Sequence, residues 1–169
     1  MSQIRTYVWI AVVLAIVVVI VISQSGSSGP MSGDTAPDFV LRSVDSLSDL
    51  KLSNLQGKPV LLVFWADWCG PCNEELPRLK QLHNEYSDRL HIVSVATPDS
   101  SLEGLKTITK QQGIDWYSLY DQEGTVSKAY RVSGVPELFL LDKDGRIRMQ
   151  WGGTVSVSDL REEIEKYLK

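Results

Sequence analysis

The spacing of apolar residues along this chain changes period several times, and each change marks an element. The first feature is an apolar run that opens at Tyr7-Val8-Trp9-Ile10 and reaches Ile22 without a charge. Counted from Ile4, it matches the ~20 residues that cross a bilayer core and exceeds the ~7–15 residues of a secretory signal core. It predicts a single membrane-spanning helix within residues 1–23. Residues 24–34 have no apolar face to bury and read as a flexible Gly/Ser linker, which leaves 35–169 as one folded domain.

Within that domain the periods of strand and helix alternate. Short strands are expected at residues 38–41 and 50–52, followed by a turn at Gln56-Gly57-Lys58-Pro59. Val60–Trp65 is a continuous apolar run of strand length, as in a central strand covered on both faces. Leu76, Leu79, Leu82 and Tyr86 then recur at helical spacing, with Pro77 expected to kink that helix. His91–Ala96 reads as a buried strand, and Leu102, Leu105 and Ile108 mark a helix that Gly113 stops. A strand at 116–120, a short helix at Thr125–Tyr130 and a hairpin of Glu137–Leu141 with 146–151 come next. An amphipathic helix at 157–168, with Ser156 or Ser158 as N-cap, closes the chain. Together these predict an α/β fold, a layered sheet with helices on both faces.

Composition narrows the function. A net charge of -4 and a pI near 5.2 leave no basic surface for phosphates, which sets nucleic acid aside. Arg5 is the positive side chain ahead of the apolar run, so the N-terminus is expected in the cytoplasm and the domain on the extracytoplasmic, periplasmic side. A cleaved signal peptide is the competing reading, although no small-x-small site follows Ile22.

Both cysteines of the chain fall in Trp68-Cys69-Gly70-Pro71-Cys72, on a strand-to-helix turn. A helix start offers unpaired N–H groups and partial positive charge, so a thiolate at Cys69 is stabilised there. Pro71 suits the first helical turn, and Gly70 keeps the approach to Cys69 open. A spacing of three at a helix start separates the Cα atoms by roughly 5–6 Å, within disulfide geometry. Cys69 is then the nucleophile toward a disulfide and Cys72 the resolving thiol. So short a loop gains little as a structural staple. Neither His83 nor His91 stands at a ligand spacing from the cysteines, so no metal is expected.

The stretch Phe64-Trp65-Ala66-Asp67-Trp68-Cys69-Gly70-Pro71-Cys72, with Pro77 and Gly134-Val135-Pro136, resembles the thioredoxin superfamily over residues 36–169. The N-terminal run, Ala36-Pro37-Asp38-Phe39, Leu55-Gln56-Gly57-Lys58-Pro59 and Glu75-Leu76-Pro77 are similar to the membrane-tethered TlpA/ResA/CcmG type. The resemblance implies a thioredoxin-like fold, a cis Pro136 beside Cys69, and a substrate backbone held by Val135 and Pro136. It implies a disulfide reductase whose electron pair is carried by the Cys69–Cys72 couple without a further cofactor. Its partners would be protein disulfides, including those of apocytochrome c, and a membrane thiol electron donor. A disulfide-forming oxidase and a non-catalytic metallochaperone holding metal through the two thiolates are the alternatives.

Departures from the family pattern raise further expectations. Val63 stands where thioredoxin has a buried Asp, so another base must serve Cys72. Glu75 is the candidate, its competing reading being an exposed carboxylate at a helix start. Glu137 either faces Cys69 and selects substrates or points to solvent. Trp65 is expected to pack, and Trp68 to meet partners.

Overall fold

The computed structural model describes residues 30–45 and 48–168, together with Trp9 and Val12. Apart from Trp9 and Val12, the expected membrane helix and the first part of the linker lie outside the described residues. Among the described residues no helix is long and apolar enough to cross a membrane.

The chain forms strands β1 (Val40–Arg42) and β2 (Asp49–Lys51), then a 3-10 turn at Leu52–Leu55 and strand β3 (Val60–Trp65). Helix α1 (Gly70–Tyr86), β4 (His91–Ala96), α2 (Leu102–Gln112), β5 (Tyr117–Tyr120) and α3 (Thr125–Tyr130) follow. The hairpin β6 (Glu137–Leu141) and β7 (Ile147–Gly152) precedes α4 (Val157–Glu165). The main sheet has the order β5-β4-β3-β6-β7, with β3, β4 and β5 parallel and β6 and β7 antiparallel to their neighbours. β1 and β2 form a separate antiparallel pair.

Side chains of β3 alternate between two apolar layers, as the period of a strand requires. Val60, Leu62 and Phe64 meet Val93, Tyr130 and Phe139 on one face. Leu61 and Val63 meet Leu76, Leu79, Leu82, Leu160 and Ile164 of α1 and α4 on the other. Every residue of β3 is buried, which is why the run lacks polar alternation. A third cluster closes the end of the sheet: Trp65, Ala66, Cys69, Cys72, Ala96 and Leu105 pack there.

β1 lies two residues later than its pattern suggested. Phe39, the large apolar residue of that segment, is buried beneath the sheet before the strand begins, while Val40 within it is exposed. α1 runs through Pro77 as a 17-residue helix. Ser156 caps α4 by accepting the Asp159 N–H at 3.1 Å. The N-terminal segment is tied to the hairpin: Gly33 N–H donates to the Ile147 carbonyl at 2.7 Å, and Ala36 N–H to that of Gly145 at 2.9 Å.

Candidate active site

β3 ends in the buried Trp65, and residues 66–69 turn the chain into α1. Cys69 is the N-cap of that helix, with an extended backbone at φ -83° and ψ 104°. Its Sγ accepts the Cys72 N–H at 3.1 Å. Negative charge on this sulfur would therefore meet a backbone donor and the positive end of a 17-residue helix. Cys69 and Cys72 are joined by a disulfide with their Cα atoms 5.2 Å apart, within the expected interval. Gly70 and Pro71 form the exposed first positions of α1, and a Cβ at Gly70 would meet nothing within 4 Å. Trp68, 60% exposed, stands beside the pair, whereas Trp65 is packed among the cysteines' apolar neighbours.

The second wall comes from a remote part of the chain. β6 lies antiparallel to β3 with Glu137 opposite Phe64, so the residues before β6 reach the edge where β3 ends. There the Val135–Pro136 bond is cis, as the family resemblance implied. The Val135 carbonyl oxygen lies 3.6 Å from Cys69 Sγ. A groove of about 310 Å³ opens on one side of this loop, bounded by Trp68, Pro98, Asp99, Val132 and Val135. A smaller one of about 180 Å³ runs between Gly134, Pro136, Glu137, Gly152 and Gly153.

Glu75 is not the exposed carboxylate of its competing reading: it is 1% exposed. Its Oε2 accepts Arg78 Nη1 at 2.9 Å and the Val155 N–H at 3.3 Å, while Oε1 is buried without a partner. Burial pushes its carboxyl above the usual range, and the Arg78 and Val155 hydrogen bonds only partly oppose this. Glu75 follows Cys72 by three residues, so the two buried side chains stand on neighbouring turns of the same side of α1.

Glu137 does not point to solvent, the second of its two sequence readings: it is 6% exposed. Its Oε2 accepts the Ser133 N–H at 3.2 Å and its Oε1 accepts Gln150 Nε2 at 2.6 Å. A carboxylate in a strand buried throughout needs such partners, and the turn before Pro136 supplies one of them. Glu137 thus braces the cis-proline loop against β7.

His83 pairs with Asp115 at 3.4 Å, and His91 begins β4, where burial pushes its pKa down. Among the described residues no group of three or more His, Cys, Asp or Glu is arranged to hold a metal ion. Val63 is buried beside Leu61 on the α1 face, leaving Glu75 as the buried carboxylate of that helix, three residues after Cys72.

Several contributors escaped the sequence. Arg78 could have been found from its i,i+3 spacing to Glu75. Val155, Gln150 and Gly153 carry no such local signal. Asp67 Oδ2 accepts the Ser101 N–H at 3.3 Å, fastening the cysteine loop to the start of α2. A Cβ at position 104 would collide with that carboxylate, so the contact requires Gly104.

Residues 32–150 match the AhpC/TSA family. The chain is 30% identical over 138 residues to the thiol-disulfide oxidoreductase ResA of Bacillus thuringiensis, covering 81% of this chain and 76% of that one. It is 30% identical to the thioredoxin-like protein YneN of Bacillus subtilis, over 81% of each chain. A crystal structure from Chlorobium tepidum, named as the thiol:disulfide interchange protein DsbE, superposes with a TM-score of 0.77 at 30% identity. That likeness covers 83% of this chain and 100% of the other.

Proposed function

This chain belongs to the AhpC/TSA family and, like its ResA relatives, is a thiol-disulfide oxidoreductase of thioredoxin-like fold, and we propose that it reduces protein disulfides outside the cytoplasm from a membrane tether. The tether is the apolar run within residues 1–23, and the linker behind it gives the domain reach. One observation carries the reading: Cys69 Sγ sits at a helix N-cap, accepts the Cys72 N–H, and lies beside the Val135 carbonyl of the cis-proline loop.

In the reduced protein the Cys69 thiolate attacks one sulfur of a substrate disulfide. The Cys69–substrate bond forms as the substrate's own S–S bond breaks, and the departing sulfur leaves as a thiolate that takes a proton. Cys72 then loses its proton and attacks Cys69 Sγ. The Cys69–Cys72 bond forms, the mixed disulfide breaks, and the second substrate sulfur leaves with the electron pair. The substrate gains two electrons and two protons, and a membrane dithiol returns them to the enzyme. The two sulfurs carry the electrons themselves.

Glu75 takes the Cys72 proton. Its position one turn further along α1, its free Oε1 and its raised pKa support this role, because a base works best when its pKa approaches the operating pH. Gly70 and Pro71 leave the sulfur approachable, Trp68 provides an apolar contact, and the Val135–Pro136 backbone pairs with the substrate chain. The substrates include apocytochrome c, whose cysteines must be reduced before haem attaches, in keeping with the resemblance to the TlpA/ResA/CcmG type.

Incubation of single-cysteine variants with disulfide-containing substrate proteins tests this reading. Cys72→Ser is expected to accumulate a mixed disulfide through Cys69, and Cys69→Ser to lose exchange altogether. Full activity in Cys69→Ser, with nothing trapped by Cys72→Ser, would mean the roles are misassigned.

A further inference from the structure

The short segment between β7 and α4 touches both halves of the site. Gly152, the last residue of β7, is paired in register with Glu137. Gly153 N–H donates to the Pro136 carbonyl at 2.8 Å. Two residues later Val155 N–H donates to Glu75 Oε2 at 3.3 Å. The Val155 side chain is buried in the layer that holds Leu76 and Leu160, which fixes the far end of the segment against α1 and α4. Three residues of chain reach at most about 11 Å, so little slack separates the two hydrogen bonds.

We propose that residues 153–155 act as a strap between the cis-proline loop and the buried Glu75 carboxylate, so that a substrate backbone settling on Val135 and Pro136 adjusts the group that serves Cys72. Gly153 and Val155 are positioning residues here, and the inference rests on the reading of Glu75 as the acceptor of the Cys72 proton. The strap gives the site a means of matching the second step to the first. The loop that holds the substrate backbone also holds, through three residues, one of the two donors on the carboxylate needed for release.

The electrostatics around Glu75 make the coupling readable. Arg78 of its own helix is the charged side chain acting on it, and the strap faces it with a backbone N–H. A donor that moves away leaves the charged form less supported, so a slackened strap raises the pH at which Glu75 gives up its proton.

Gly153 supplies a way to slacken it. Its φ of +83° strains any other side chain, yet an added Cβ would meet nothing within 4 Å, so Gly153→Ala perturbs the segment through its backbone. Gly33→Ala is the matched control, because Gly33 has φ +98°, equally open surroundings and a place far from the site.

The test follows the Glu75 titration by NMR in the reduced full-length protein, labelled at its glutamate carboxyls and held in detergent. Gly153→Ala is expected to move that titration upward by roughly 0.4 to 1 pH unit, the worth of one hydrogen bond. The pH profile of the resolving step should move with it, and Gly33→Ala should shift neither. A second measurement needs no change at Gly153: Cys72→Ser carrying a peptide trapped on Cys69 should titrate at Glu75 differently from the same variant without peptide. Unchanged Glu75 titration in both experiments overturns the strap. A shifted titration, combined with a resolving profile that ignores Glu75→Gln, overturns the catalytic reading of Glu75 and with it the strap's part in the reaction.

Discussion

The first turns of α1 and the start of β6 each bury a carboxylate at the edge of the sheet where the disulfide lies, and they provide for it differently. In β6, Glu137 has both oxygens occupied, by the Ser133 N–H and by Gln150. In α1, Glu75 has one oxygen crowded by Arg78 and Val155 and the other left without a partner. A fully bonded carboxylate acts as a structural brace, whereas a half-bonded one in an apolar setting is able to exchange a proton. Burial alone would not have told the two apart, since both are almost completely enclosed.

The sharpest way to break this comparison is at Glu75. Glu75→Gln should slow release of the mixed disulfide by about 100-fold near neutral pH, the usual scale for a positioned acid or base. Rapid-mixing measurement of mixed-disulfide decay reads it, and a change smaller than about threefold would place Glu75 with Glu137 as a brace. Glu137→Ala should act on stability instead, by about 1–3 kcal/mol in denaturant unfolding, because the Ser133 N–H and the Gln150 amide lose their acceptor. Glu137→Gln, which keeps one acceptor oxygen, should lose less. A resolving step slowed as strongly by Glu137→Ala as by Glu75→Gln would erase the distinction.

A smaller effect distinguishes the two through pH. The folded-state pKa of Glu75 is raised above its unfolded value near 4.5, so the folded protein holds that proton more tightly. Its contribution to stability is then full below about pH 4.5 and is lost as the pH rises through the folded value. Unfolding free energies measured from pH 4 to 8 should therefore fall more steeply in the wild type than in Glu75→Gln. Parallel curves would contradict the burial cost assigned to this carboxylate. The smallest effect on stability is expected at Trp68. Because the side chain is largely exposed, Trp68→Ala should change stability by less than about 0.5 kcal/mol while raising the substrate concentration needed for half-maximal rate.

Much of the fold was legible because its signals are local. The unbroken apolar run of Val60–Trp65 announced a strand covered on both faces, and Pro71 between the cysteines announced a helix start. Glu75 stands four residues before Leu79 and three after Cys72, on the same helical stripe as Leu82 and Tyr86, so its burial was written in the spacing. Its charge concealed that, since an acidic residue near a helix start is usually solvated. The fate of Glu137 had no comparable clue. Gln150 is 13 residues away and Val155 is 80 residues from Glu75, and both partnerships arise only once β6, β7 and α4 have packed. The β1 boundary moved for a related reason: Phe39 is claimed by the core, so strand pairing begins after it.

The direction of electron flow is the central claim, and the reduction potential of the Cys69–Cys72 couple tests it most directly. Equilibration of the protein with dithiothreitol or glutathione buffers, followed by thiol quantification, gives the value. A reductant supplied by a membrane dithiol should lie near the ~-270 mV of thioredoxin. A value near the ~-120 mV of a strong disulfide donor would contradict the account and make this protein an oxidase.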